Sequence, residues 1–361
     1  MTTFDAAVIG GGPAGCLAAT YLARGGLSVA LIEKRSTPHH KVCGEFISGE
    51  GVPLLLDADV SLAQATHISG MRLHGPTRSC EAPLPTAARG LSRLLMDELL
   101  LEAAQNSGVK LIRGERAKTL KKADSVFHVG GIAARRVVCA TGKAEFKPVQ
   151  TRAGRDSGMV GFKVHLRLAA KALGCLRQHV DLFVFESGYG GLAPVEDGLA
   201  NLCFLMEREA IANVQGEWPR VARWLSNACE GLAGYLDNAE PAFWPMASVA
   251  NVPYGFVRET AVADDIYCVG DQLAVIPSLT GEGMTIAMQT GKRAAECILA
   301  GVGATEFQHD MAAVVRPRVE LGFLVHRLFK SPRLSDLGTQ LVNRWPRLID
   351  YIFRHTRTPA V

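Results

Sequence analysis

No C-x-x-C pair occurs among the nine cysteines, Cys16, Cys43, Cys80, Cys139, Cys175, Cys203, Cys229, Cys268 and Cys297. Their count is odd and their spacings match no zinc ligand set, so neither a disulfide framework nor a structural metal organises this chain. Several sit in apolar runs, where a thiol acts as a small core residue. Long apolar runs are also missing. None approaches the ~18 residues that a membrane-spanning helix needs. The first strand begins by residue 4, which leaves no room for a signal peptide, so the reducing cytoplasm is the expected compartment. No Lys/Arg block is long enough for nucleic-acid binding. The net charge of +4 is uneven: from Arg316 to Arg357 nine basic residues face three acidic ones, leaving the rest of the chain slightly acidic. Internal repeats and low-complexity linkers are absent as well.

What remains is an ordinary globular composition, 48% hydrophobic and 20% charged over 361 residues. That length suits one large or two interleaved domains. Glycine is plentiful, and its placement at the start of the chain is the strongest signal. Residues 4–9 are apolar enough for a buried strand. Gly10, Gly12 and Gly15 then supply G-x-G-x-x-G at the strand end and helix start. The first glycine allows the tight turn, the second lets backbone approach a pyrophosphate, and the third lets the helix pack on the sheet. The helix N-terminus faces the phosphate charge. The helix runs to about Ala23, Gly25-Gly26 stop it, and a second strand over 27–32 leads to Glu33. That carboxylate lies where it can accept hydrogen bonds from a ribose diol.

Residues 36–50 are polar and irregular, and residues 67–88, with Pro76, Pro83 and Pro85, are expected as loops with short strands. A helix follows over 92–107, then strands over 109–112 and 136–139, the second running into Ala140-Thr141-Gly142. From 158 the texture changes. Strands are expected over 159–168, 181–186, 189–195 and 199–206, with Asp197-Gly198 as a hairpin turn. Residues 208–236 are expected to be helical. This block forms an antiparallel sheet inserted into the nucleotide-binding domain. A strand over 265–269 then delivers Gly270-Asp271, and a helix covers 283–300. In the helical tail Leu321, Leu324, Val325 and Leu328 form one apolar face.

The segment from Ile266 to Gly291 bears on the choice between NAD and FAD. Asp271 stands at a strand's carboxyl end, placed for a ribityl hydroxyl or a bound water. Backbone amides around Gly281 to Met284 open a helix N-terminus. Beside a flavin, that positive end would stabilise the negative charge developing at N1 and C2=O on reduction. A nicotinamide enzyme has no such need. The placement of Gly281-Glu282-Gly283 to tune a reduced ring also favours catalysis over a non-catalytic, redox-sensing FAD-binding module.

The order of these three segments resembles the FAD-dependent superfamily of aromatic hydroxylases, geranylgeranyl reductases and flavin halogenases, over residues 1–300. The resemblance implies an α/β fold, with a Rossmann-like FAD-binding domain (1–157 and 252–304, with residues 50–90 contributing to the substrate side). It adds an antiparallel-sheet substrate domain (158–251) and a C-terminal helical cap (305–361). The implied FAD contacts are Gly10, Gly12, Pro13, Ala14, Gly15, Glu33, Lys34, Ala140, Thr141, Gly142, Gly270, Asp271, Pro277, Gly281, Gly283 and Met284. Arg93, with Asp97 four residues on, is similar to the family's Arg-x-x-x-Asp element, whose arginine lies near the FAD phosphates; an exposed i, i+4 pair is the alternative. Lys41 to Glu45 (KVCGE) is most similar to the K-x-C-G-G segment of geranylgeranyl reductases, which passes beside the flavin ring and would make Cys43 a flavin-proximal thiol.

Three departures bear on the reaction. The aromatic Y-x-W-x-F-P element that packs the isoprenoid in geranylgeranyl reductases is here Tyr189-Gly190-Gly191-Leu192-Ala193-Pro194. The loss of Trp and Phe makes room for a bulkier or flatter ligand. Thr141-Gly142 stands where aromatic hydroxylases have Asp-Gly, which leaves the electron donor open between NAD(P)H and a separate reductase. No W-x-W-x-I-P occurs, which argues against halogenation.

Flavin chemistry asks the protein mainly for a dry pocket, orientation and a proton donor. His39, His40 and Glu45 flank Cys43 and are candidate acids or bases, each competing with the alternative of a solvated loop residue. Cys43, Glu45 and His40 are therefore the candidate catalytic residues. His165 shares a strand face with Lys163 and Arg167, a polar side or a pocket. Tyr189, Leu192, Trp244 and Phe243 are candidate pocket walls. The favoured activity is that of a monooxygenase or related oxidase on a small to medium, largely apolar substrate, free or carrier-bound. The alternatives are a double-bond reductase of the geranylgeranyl type and the redox-sensing module. For the basic tail a cap over the pocket is favoured over contact with an anionic membrane.

Overall fold

The computed structural model describes residues 3–149, 152, 155–156, 158–329, 337–341, 344, 355 and 357. The first half contains β1 (Thr3–Ile9), α1 (Pro13–Arg24), β2 (Val29–Glu33), β3 (Phe46–Ile47), α2 (Val52–Asp57), β4 (Thr66–His74), β5 (Ser79–Gly90), α3 (Arg93–Asn106), β6 (Lys110–Arg113), β7 (Leu120–Ala123), β8 (Val126–Val129) and β9 (Ile132–Cys139). The second half contains β10 (Arg155–Asp156), β11 (Met159–Arg167), α4 (Ala170–Leu176), β12 (His179–Phe185), β13 (Gly188–Pro194), β14 (Ala200–Glu207), α5 (Trp218–Ala228), α6 (Glu230–Leu236), β15 (Glu240–Pro241), β16 (Ala247–Val249), β17 (Pro253–Tyr254), β18 (Ile266–Cys268), α7 (Gly283–Leu299) and α8 (Ala304–Phe329).

Seven strands make the first sheet, in the order β6-β2-β1-β9-β8-β7, with β18 also on β9. β6, β2, β1, β9 and β18 are parallel. The end of β1, Ala6 to Ile9, is buried throughout, as a parallel sheet covered on both faces requires. α1 packs against α7 and α3. A Cβ at Gly291 of α7 would collide with the backbone of Ala14, so these two helices approach more closely than any larger residue allows.

The second sheet has nine strands, in the order β15-β11-β14-β13-β12-β4-β5-β3, with β16 also on β11. It is antiparallel except where β12 runs parallel to β4. Residues 67–88, expected as loops with short strands, instead form most of two long strands with a bulge between Ile68 and Gly70. β5 meets its other neighbour, β3, only at Arg89 and Gly90. Pro83 and Pro85 therefore lie on an open edge, where a missing N–H costs no ladder bond.

Strand alternation sorts the side chains of this second sheet. Val160, Phe162, Val164 and Leu166 of β11 pack beneath α5 and α6 with Leu192, Phe204 and Trp218. Met159, Tyr189 and Leu205 face the other way, toward Val275 and Leu279 between β18 and α7. α8 crosses that second face. Its Leu321, Leu324 and Val325 do not form a buried stripe: Leu324 is 54% exposed, whereas His326 is buried. Phe323 and His326 turn inward because Tyr189 and Tyr254 offer ring contacts, and the Tyr189 hydroxyl adds a 2.9 Å hydrogen bond to His326 Nδ1. The side chain of Leu328 and most of the basic tail lie outside the described residues.

Candidate functional site

β1 ends in the glycine turn, and α1 begins at Pro13 with no side-chain cap, so its first amides are open to an anion. A Cβ at Gly15 would collide with the Gly10 carbonyl, and one at Gly10 with the Ala140 carbonyl. The nearest group to a Cβ at Gly12 would be the Arg93 guanidinium, at 3.6 Å. Glu33 closes the turn from the end of β2. Its Oε2 accepts from the Gly11 amide at 2.8 Å and its Oε1 from the Arg35 amide at 2.9 Å. Lys34 is exposed just beyond.

Arg93, the first residue of α3, is not an exposed helical side chain. It binds Asp97 through Nε at 2.7 Å and Nη2 at 3.0 Å, and Lys41 reaches the same carboxylate at 2.6 Å. Burial works against both charges of the Arg93–Asp97 pair. Each partner outweighs it, holding the arginine above its ordinary value and the aspartate below. The nearby Cys43 thiol also helps to hold the guanidinium above its ordinary value. A cationic cluster thus faces the glycine turn and an uncapped helix, and these residues fit a pyrophosphate.

β9 and β18 are paired at Cys139 and Cys268, so Ala140-Thr141-Gly142 and Gly270-Asp271 leave the sheet side by side. Gln272 Nε2 ties them by donating to the carbonyls of Gly142 at 2.8 Å and Ala144 at 3.0 Å. Arg152 donates to the Asp271 carbonyl at 3.0 Å, leaving that carboxylate partly exposed. After Pro277, Gly281 takes φ 67°, a left-handed turn that suits glycine. A Cβ there would stand 3.0 Å from the ring of Phe46, so the loop before α7 meets the segment that carries Cys43 and Glu45. α7 also starts without a side-chain cap, at Gly283 and the buried Met284.

Glu45 is the hub of that segment. Its backbone is left-handed, with φ 56°, uncommon for a side chain of this size. The carboxylate is fully buried and accepts from the Arg93 amide at 2.6 Å, from the Lys163 ammonium, and from His165 Nε2 at 2.6 Å. Burial opposes its charge, but the His165 hydrogen bond and the Lys163 ammonium prevail and keep it below the usual carboxylate range. Lys163 and His165 are themselves buried, while Arg167, two residues on, is exposed. His40 lies edge-on to His165, ring centres 5.0 Å apart, and stacks on Phe243 at 3.7 Å. Burial, then the charges of Lys163 and His165, push His40 down to about 4, so its imidazole is neutral near pH 7. Asn201 Nδ2 donates to the Cys43 carbonyl at 2.9 Å, while its buried Oδ1 has no partner among the described residues.

The three candidate catalytic residues therefore meet in one cluster. Two candidate pocket walls lie elsewhere. Leu192 is three residues beyond Tyr189, and strand alternation sends it to the opposite face of the sheet. Trp244 joins that same far side, against Trp218. Sequence reasoning left Lys163 and His165 undecided and missed Asn201 and Phe46. A Lys and a His two apart within an otherwise apolar strand were the available signal.

A family model described as pyridine nucleotide-disulphide oxidoreductase matches residues 4–170. Among curated proteins, the menaquinone reductase of Mycolicibacterium smegmatis is 23% identical, over 98% of this chain and 91% of that protein. The digeranylgeranylglycerophospholipid reductase 2 of Methanosphaera stadtmanae is 26% identical, over 86% of this chain and 80% of that protein. Among solved structures, the flavin-dependent brominase Bmp2 superposes with a TM-score of 0.82 at 19% identity, covering 99% of this chain and 94% of that one. Halogenase PltM follows at 0.77 and 16%, covering 97% and 84%.

Proposed function

We propose that this chain is an FAD-dependent oxidoreductase of the superfamily of geranylgeranyl reductases and flavin halogenases, and that it reduces carbon–carbon double bonds in an apolar, isoprenoid-bearing substrate. FAD would be held with its pyrophosphate at Gly12 and Arg93, its adenosine ribose at Glu33 and its ring beside the Pro277–Gly281 turn and the Cys43–Phe46 segment. When bound, the flavin supplies the two-electron chemistry. The chain's own residues orient the substrate, exclude water and hold a proton.

One observation carries this reading. The face that the second sheet turns toward the flavin loop is apolar over Ile68, Met159, Val184, Tyr189 and Leu205, and Val275 and Leu279 close it from the loop side. Among the ionisable groups on the same face, Lys163 and His165 are engaged by Glu45 and His326 by the Tyr189 hydroxyl. Such a face suits a hydrocarbon chain better than a charged substrate. The relatives with reductase names, aligned over most of their lengths, support the same choice.

A monooxygenase is the second reading, favoured by the glycine at 191, which narrows the sheet surface least. A Cβ there would meet only ordinary van der Waals contacts, Leu182 at 3.4 Å and the Asp181 carbonyl at 3.6 Å, so the position tolerates a side chain. Anaerobic single turnover separates the two. Prereduced holoprotein mixed with a polyprenyl naphthoquinone or a digeranylgeranyl glycerolipid should yield product with one added hydrogen pair per double bond, and the flavin should reoxidise without oxygen. Reoxidation only in air, with an oxygen atom in the product, would replace the reductase with the monooxygenase. The same stopped-flow experiment, started with NADPH or NADH, identifies the electron donor.

A further inference from the structure

Four ionisable side chains form a graded path from the outside of the second sheet to its apolar, flavin-facing side. His40 is half-buried at the outer end and stacked on Phe243; its Nδ1 is buried and has no hydrogen-bond partner among the described residues. His165 follows, edge-on to His40, and its Nε2 meets Glu45 Oε2 at 2.6 Å. Glu45 Oε1 meets the Lys163 ammonium. β11 and β14 pair His165 with Asn201, Lys163 with Cys203, and Gly161 with Leu205. Lys163 is thus the member of the path next to the apolar row of Leu205 and Tyr189, and His165 is one row farther out.

We propose that His40, His165 and Glu45 relay solvent protons to Lys163, which delivers one proton to the flavin-facing side of the sheet at each turnover. The proposal rests on the reductase reading for its consumer. In that reaction one alkene carbon receives a hydride from the reduced cofactor, which is oxidised. The other carbon takes a proton as the N–H bond at Lys163 Nζ breaks, and Lys163 regains a proton through Glu45 and His165. Atoms and electrons then balance, with one solvent proton consumed per double bond.

The alternative use of these groups is purely structural, an ion pair that fixes the Lys41–Phe46 segment. Three features argue against it. Glu45 adopts an uncommon left-handed backbone to reach its partners. A buried ion pair is weak evidence of stabilisation in itself. A structural pair also has no need of a neutral imidazole at its outer end. The other groups near the path do not compete for the proton: burial pushes the Cys203 thiol up to about 12, and the Arg93 guanidinium is held by Asp97.

Two variants test the relay, each with a readout that does not depend on turnover. His40→Phe keeps the stack on Phe243 but removes the proton carrier. His165→Gln keeps a donor to Glu45 but cannot titrate. In lysine-labelled protein, the buried Lys163 ammonium should exchange its hydrogens with solvent at least about tenfold more slowly in either variant than in wild type. In the holoprotein, substrate-driven reoxidation of the flavin should slow by about 10²-fold, the range for loss of acid–base catalysis, while FAD affinity and flavin reduction stay within twofold. Unchanged Lys163 exchange in both variants overturns the relay, even if the reductase reading stands. If wild-type holoprotein reduces no alkene, the reductase reading fails, and the exchange measurement still decides whether the path carries protons. If one variant does not fold, exchange in the other decides alone.

Discussion

Glu45 occupies the position where the related K-x-C-G-G pattern has its second glycine, and its φ of 56° explains why glycine suits that place. This chain accepts strain there and gains a buried carboxylate with three partners. Removing one partner leaves an uncompensated charge, so Lys163→Met should destabilise the fold by about 3 kcal/mol. Adding Glu45→Gln to that variant should recover most of the loss, and urea unfolding of the single and double variants measures the coupling. A double variant that costs the sum of the two single variants would show that the pair is not coupled. The pH dependence follows from the direction of the shift. A carboxyl held lower in the folded than in the unfolded state contributes stability that is present above its unfolded value and is lost as pH falls through the folded one. Between neutral pH and strong acid, Glu45→Gln should therefore flatten the stability profile below the ordinary carboxylate range. An unchanged profile would mean that Glu45 is not held low.

At the scale of elements, the cofactor cradle depends on how tightly α1, α7 and β9 crowd the glycine turn. The contact of Gly291 with the Ala14 backbone fixes α7 against α1, and α7 in turn carries the Gly283 end toward the ring site. Gly291→Val should push these helices apart, cost about 3 kcal/mol as an overpacked core position, and weaken FAD binding. Thermal unfolding and flavin fluorescence titration would check both effects; a variant as stable and as tightly loaded as wild type would show that this contact does not set the cradle. β1 to β2, α3 and the G-x-G-x-x-G turn were legible because each carries its signal locally: an apolar run, a stop, a Ser92 cap. β4 and β5 were not legible. Pro83 and Pro85 suggest loops until the open edge of β5 is known. Leu192 and Trp244 were misplaced for a related reason: the face of a strand that lines a site depends on which element covers it.

For the whole molecule, the site lies where two sheets meet, with Phe46 from one side against the Gly281 turn from the other. A ligand held by both should stabilise both. FAD at one hundred times its dissociation constant should add about 2.7 kcal/mol to the unfolding free energy if only the folded state binds it. Unfolding followed by tryptophan fluorescence and by flavin release should shift together. A shift in flavin release alone would mean that the second sheet does not sense the cofactor. Arg357 ties the C-terminal tail to the same place through Glu282, immediately after Gly281. No helix among the described residues is long and apolar enough to cross a membrane.

The amino-acid sequence determined the dinucleotide turn, the order of the three cofactor segments and the change from a parallel to an antiparallel sheet. These are consequences of local periodicity and of glycine, whose effects act within a few residues. Only the tertiary structure decided that Lys163 and His165 are buried against Glu45, which lies more than a hundred residues earlier in the chain. It also decided that Tyr189 faces Val275 and Leu279 while Leu192 lies on the opposite face of the sheet. Burial, charge pairing and the choice of strand face depend on which elements pack together, and no local pattern encodes that.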